Sequence, residues 1–247
     1  MSVEDIMFVV LGAAAGGFIN GLAGTGTALF AMGFYLVVLE PASAVAIISL
    51  MSVLTGLQGL WVVRTEIGNV RPRLLRFLLP GLIGVPIGVQ LLSHVDADLL
   101  KLIVAGLLIF YGGFFGVRKA LPRFDRRTPV ADGAVGLVGG VLGGLASLSG
   151  ALPAIWLSLR PWPKAQTRAV LQPYNMGILG LTVAALAWRG AYTPQTWTAF
   201  FVALPVALVS AQIGIQVFKR LSDSQFRRTL IILCLALGVG ILVFSIG

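Results

Sequence analysis

Charge is scarce in this chain. Asp, Glu, Lys and Arg make up only 11% of the 247 residues, while 57% are hydrophobic and the mean hydropathy is +0.96. Ordinary globular domains carry about 25% charged residues, so a water-facing surface cannot be built from this composition. Cysteine is nearly absent as well. The single Cys234 excludes an internal disulfide framework and a cysteine-pair metal site. The single histidine, His94, falls in a predicted loop, which leaves no nucleophile with a base beside it and no cluster of metal ligands for a membrane-embedded transferase. No cofactor is expected. All nine acids, Glu4, Asp5, Glu40, Glu66, Asp96, Asp98, Asp125, Asp132 and Asp223, lie in predicted loops or at the ends of apolar segments. Coupling through a buried carboxylate relay is therefore not expected.

What the chain has is long apolar runs. The windows 42–63, 74–92, 99–117, 197–218 and 230–246 are almost free of charge, and each approaches the ~20 residues needed to cross ~30 Å of hydrocarbon. The N-terminus carries Glu4 and Asp5 where a cleavable signal would carry Lys or Arg. Its apolar stretch is expected to remain in the mature protein.

The 18 basic residues outnumber the 9 acids, and their placement gives that excess its meaning. Arg64, Arg71, Arg73 and Arg76 share one predicted connection. Arg118, Lys119, Arg123, Arg126 and Arg127 share a second, Arg160, Lys164 and Arg168 a third, and Lys219, Arg220, Arg227 and Arg228 a fourth. Short basic loops between apolar spans mark the cytoplasmic face. The charge reports topology, and no nucleic-acid partner is implied.

The chain repeats itself. Residues 16–30 read GGFINGLAGTGTALF and residues 139–153 read GGVLGGLASLSGALP, identical at seven of fifteen positions with an offset of 123. Farther along, Ile87-Gly88-Val89-Gln90 returns as Ile213-Gly214-Ile215-Gln216 at an offset of 126. The expected organisation is a first repeat at 1–120 and a second at 121–247.

The first apolar region of each repeat is too long for one span, too short for two, and broken midway by Gly, Ser and Thr. It reads as a re-entrant pair of short helices, at 5–39 and at 130–159. Three crossings follow in each repeat, at about 42–63, 74–93 and 98–117, then at about 166–188, 196–218 and 228–246. An odd number of crossings inverts the second repeat relative to the first. The fold class is thus all-α, a polytopic membrane protein of two inverted repeats. Both termini are then outside, with the four basic clusters inside.

Broken backbone at membrane depth persists only where it is buried in protein or lines a polar cavity. The second helix of each hairpin should begin near Thr25 to Thr27 and near Ser149, as residues that cap helix N-termini. Such N-termini offer free N–H groups and a partial positive charge to an anion. Asn20, Thr25, Gly26 and Thr27 in the first tip, with Ser147, Ser149 and Gly150 in the second, are therefore candidate substrate-binding residues. The competing reading is packing, because Gly12/Gly16, Gly17/Gly21, Gly136/Gly140 and Gly140/Gly144 are small-xxx-small pairs that let helices approach closely.

The segment 166–188 is the most polar span. Arg168, Gln172 and Asn175 fall at i, i+4 and i+7, on one helical face, and complete the candidate site. The alternative for Arg168 is a snorkelling cytoplasmic flank, and for Gln172 and Asn175 an interhelical link. Ser49 and Ser52 stand where the second repeat has Gln172 and Asn175, so the site is asymmetric. Gln90 and Gln216 recur near span ends.

A glycine-rich broken helix opening each half, followed by a helix beginning Pro41-Ala42-Ser43 or Lys164-Ala165-Gln166-Thr167, resembles the TauE/SafE family of sulfite and organosulfonate exporters along nearly the whole chain. The resemblance implies two inverted repeats, a possible homodimer, and export of small sulfur-containing anions such as sulfite or sulfonates across the inner (plasma) membrane. The partners expected are that anion and the lipid bilayer. An uptake permease for another small anion or metabolite, and a non-transporting membrane assembly subunit, remain as alternatives.

Overall fold

The computed structural model describes residues 1–117, 128–222, 224–226, 228, 229 and 232. Among them all regular structure is helical. The helices are α1 (Val3–Ala23), α2 (Thr27–Val38), α3 (Pro41–Leu92), α4 (Ala97–Val117), α5 (Pro129–Ala146), α6 (Ala151–Ser158), α7 (Lys164–Trp188) and α8 (Pro194–Arg220). Five of them, α1, α3, α5, α7 and α8, are long and apolar enough to cross a bilayer. The chain is an all-α polytopic membrane protein. The basic stretch 118–127 and nearly all of the span expected at 228–246, Cys234 included, lie outside the described residues.

Local chemistry sets several of the ends. Ser2 and Asp5 form a reciprocal cap on α1, with hydrogen bonds of 3.0 and 2.7 Å. Gly24 ends α1 at φ 79°, a left-handed conformation that a side chain disfavours. Proline occupies the first position of α3, α5 and α8, where its missing N–H has no helical partner to lose.

Helix α3 departs from expectation. A straight helix of its 52 residues would be about 78 Å long. Yet the Ala46 carbonyl, near its start, accepts from Tyr192 at 3.1 Å, while the Val89 carbonyl, near its end, accepts from Arg189 at 2.9 Å. The helix folds back on itself between Gly59, which packs against Arg168, and Arg73, whose guanidinium stacks over Trp162 at 4.2 Å. Pro72 lies in that interval and removes the hydrogen bond that would hold the turn straight. Arg64, Arg71, Arg73 and Arg76 therefore sit on helical backbone, and the loop expected there is absent. The stretch 64–71 offers Arg and Glu, which favour helix, and stays helical even through Gly68-Asn69.

Glycines then bring backbones into contact. Gly17 and Gly21 of α1 press on the backbone of Ala207 and Ala211 in α8. Gly140 and Gly144 of α5 press on Gly81 and Val85 in the returning limb of α3. The second set is the first displaced by the sequence offsets, 123 for the hairpin helix and 126 for its partner. Packing is thus the role of these glycines. Both pairs run parallel, and each joins a helix from the first half of the chain to one from the second.

Cations gather at one end. Arg73 stacks on Trp162, and Asp132 takes ion pairs from Arg160 at 3.4 Å and Arg76 at 3.9 Å. Asp132 also accepts from the Trp156 indole at 2.8 Å. The opposite end holds the contacts of Arg189 and Tyr192 with α3 and the bond from Thr196 to Ser43 at 3.0 Å.

Candidate functional site

Each broken region is an antiparallel helical hairpin. In the first, Gly12 packs on Tyr35 and Gly16 on Thr27 and Ala31. In the second, Gly139 packs on Ser149 and Pro153, and Gly143 on Ser149. The turns, at 24–26 and 147–150, meet in the interior, where Gly150 lies directly against Thr25. Two loops separated by more than a hundred residues thus share one spot in the core.

Helix α7 crosses that spot. Arg168, Gln172 and Asn175 are 2%, 0% and 2% exposed, so their shared face is wholly interior. The Asn175 side-chain oxygen accepts from the Thr25 hydroxyl at 3.5 Å and, in a shorter bond, from the Ser149 hydroxyl. One acceptor on α7 therefore ties both tips together. This corrects the capping expectation. The residue preceding α2 is Gly26, that preceding α6 is Gly150, and neither helix has a side-chain cap. The Thr25 and Ser149 hydroxyls are drawn to Asn175 instead, and the Thr27 hydroxyl is buried without a partner.

Gln172 is packed in place yet unpaired. Gly24, Gly56 and Gly59 surround it, and a Cβ at Gly24 would come within 2.7 Å of its Oε1. Both of its side-chain polar atoms are buried without a hydrogen-bond partner. Left so in an apolar interior, such an amide costs on the order of 1–3 kcal/mol. Arg168 is more demanding. A guanidinium carries five N–H donors, and here Nη1 donates to the Leu22 carbonyl at 3.3 Å while Nε and Nη2 have no partner. The Phe218 ring lies 4.4 Å from the guanidinium carbon, a favourable cation–π placement. No carboxylate pairs with it among the described residues. The snorkelling alternative fails, because the head group is buried as deeply as the stem.

The other candidates divide. The Asn20 amide donates to the Ser52 carbonyl at 3.1 Å and to the Thr55 hydroxyl at 2.5 Å, while its oxygen and the Ser52 hydroxyl are buried unpaired. Thr55 adjoins Gly56, so this cluster borders Gln172. Ser147 stands apart. It ends α5 at φ 56°, shares a hydrogen bond with Ser49 at 2.7 Å and donates to the Val45 carbonyl at 3.0 Å, which commits its one O–H donor. Gln90 accepts from Arg189 at the far end, away from the tips.

Sequence reasoning missed the Leu22 carbonyl, Gly24, Gly59 and Phe218. A signal existed only for Gly24, which precedes Ser147 by 123 positions, as the repeat requires of two equivalent turn residues.

No curated protein matches the chain by sequence. The family model for the sulfite exporter TauE/SafE matches residues 8–241. Matched over almost its whole length, and built of apolar helices around two broken hairpins, the chain belongs to the TauE/SafE sulfite exporter family of membrane transport proteins.

Proposed function

We propose that the protein exports small sulfur-containing anions, sulfite or sulfonates, across the inner (plasma) membrane, through a site where two re-entrant hairpins meet α7. The observation that carries this reading is Arg168, a buried guanidinium with two unpartnered nitrogens beside the unpaired amide of Gln172. An isolated buried cation is penalised by several kcal/mol. A bound oxyanion would supply the missing acceptors and the missing charge together, with Gln172, Asn175 and the tip residues Thr25 to Thr27, Ser149 and Gly150 around it. Asn20 borders this group, and Ser147 acts as an anchor of its tip.

The reading includes inversion of the two repeats. Helix α1 runs parallel to α8, and α5 runs parallel to the returning limb of α3, with Asp132 of α5 at the basic end and the contacts of Ser147 toward the start of α3. These contacts favour hairpins that enter from opposite faces, with the basic end cytoplasmic.

The test is ligand-dependent stabilisation of detergent-purified protein. Sulfite, methanesulfonate and thiosulfate would be compared with carboxylates of matching size, in the parent and in Arg168→Gln. At least one sulfur oxyanion should raise the parent's Tm and not that of the variant. If none stabilises the parent, the anion-site reading falls.

A further inference from the structure

We infer that the site is matched to a single negative charge, so that it takes monovalent oxyanions and rejects divalent ones. This rests on the anion-site reading above and narrows it to a charge class. Positive potential could reach the tips from Arg168, from Lys164 one turn earlier on α7, and from the N-termini of α2 and α6.

Arg168 supplies one whole charge, and among the described residues the Leu22 carbonyl and the Phe218 ring are the groups that partner its guanidinium. Lys164 is committed elsewhere. Its ammonium donates to the Phe218 carbonyl at 3.1 Å and, in a shorter bond, to that of Leu221. Those groups form the C-terminal end of α8, where free carbonyls carry about half a negative charge.

The helix N-termini contribute less than they would alone. Each tip holds the C-terminus of one helix beside the N-terminus of the next: α1 ends at Ala23 and α2 begins at Thr27, while α5 ends at Ala146 and α6 begins at Ala151. Partial charges of about −0.5 and +0.5 at one turn largely cancel. The Leu22 carbonyl that holds Arg168 belongs to such a C-terminal end. Lys101 and Arg189 pair with Asp98 and with the Val89 carbonyl and Gln90, well away from the tips.

One full charge therefore faces the ligand. A monoanion neutralises it, and the unpaired Gln172 amide and Thr27 hydroxyl can bond its remaining oxygens without adding charge. A dianion would leave one negative charge uncompensated in a buried site.

Calorimetry on the purified full-length protein tests this with methanesulfonate, a monoanion at all working pH, with sulfate as a dianion, and with sulfite across its second ionisation. The dissociation constant for methanesulfonate should stay constant with pH. That for sulfite should rise about tenfold per pH unit above the ionisation, as the monovalent fraction falls, and sulfate should bind at least about tenfold more weakly than methanesulfonate. Lys164→Gln should leave the ratio of sulfate to methanesulfonate affinity unchanged.

Sulfite affinity that ignores its ionisation, or sulfate binding as tightly as methanesulfonate, would overturn the charge match while leaving an anion site standing. Selective loss of sulfate binding in Lys164→Gln would overturn it too, by making Lys164 a second charge in the site. If neither methanesulfonate nor sulfite binds at any pH, the anion-site reading and this inference fall together.

Discussion

Gly150 lies against Thr25 with no space for a side chain between them. A Cβ at Gly150 would overlap the Thr25 hydroxyl and stand 2.6 Å from the Thr25 Cβ. Glycine at this position lets two turns from opposite halves of the chain touch, which brings Thr25 and Ser149 within reach of one Asn175 oxygen.

The first prediction follows from that contact. Gly150→Ala should lower the Tm and weaken substrate binding about tenfold or more, because the tips must part. Thr25→Gly should recover much of the lost stability in the double variant, since it removes the atoms that collide. Additive effects of the two substitutions would show that the tips do not press on each other.

Arg168→Gln should separate a binding residue from a structural one by the sign of its effect. Removing an uncompensated buried charge relieves a penalty, so the ligand-free Tm should hold or rise while ligand-induced stabilisation disappears. A structural Arg168 would give the reverse, a lower Tm with the ligand response intact.

Asn175→Ala should weaken binding about tenfold, equivalent to ~1.4 kcal/mol. It removes the acceptor shared by Thr25 and Ser149, which leaves both tips free to drift. Thr27→Val keeps the shape and removes one unpartnered hydroxyl, so its effect should be milder, near the ~1 kcal/mol of a single hydrogen bond. Parent-like affinity in both variants would place the binding site elsewhere.

Much of the candidate site was legible because its signals are local or periodic. The clustering of Gly, Ser and Thr marked both breaks, and the spacing of Arg168, Gln172 and Asn175 put them on one face that proves wholly buried. What was not legible depends on distant partners. Nothing near Arg168 in the chain announces the Leu22 carbonyl or the Phe218 ring, so its position beside a basic cluster read equally well as a flank. The Thr25 and Ser149 hydroxyls looked like caps because capping is their commonest local use. A competing acceptor on α7 became visible only in three dimensions. The reversal of α3 was legible as two apolar spans, whereas the helical character of the link was hidden by its charges, which resemble those of a loop.

Topology gives a further test. In a Cys234→Ser background, single cysteines at Ser2 and His94 should react with an impermeant thiol reagent from the outside, and one at Asn69 only from the inside. Ser2, Asn69 and His94 are exposed, so access depends on the side of the membrane. Labelling of Ser2→Cys and Asn69→Cys from the same side would refute hairpins inserted from opposite faces.

The last prediction concerns the driving force. Export of a monoanion past a fixed Arg168 moves one net charge per turnover, and an inside-negative potential favours exit by about 2.3 kcal/mol per charge per 100 mV. The acids of the described residues offer no alternative energy source at the site. Asp132, the buried one, is tied to Arg160, Arg76 and Trp156 at the basic end, Glu66 lies half-buried on the stretch where α3 folds back, and the other described acids lie at helix ends or between helices. In proteoliposomes with a potassium diffusion potential, the flux of a sulfonate should follow the sign and size of the potential. A pH gradient at zero clamped potential should drive no uphill movement. Sulfite would complicate this experiment because its own protonation couples to pH, so methanesulfonate is the proper substrate. Uphill methanesulfonate flux driven by the proton gradient alone would require a proton-carrying group that moves with the anion, and would refute purely electrogenic export.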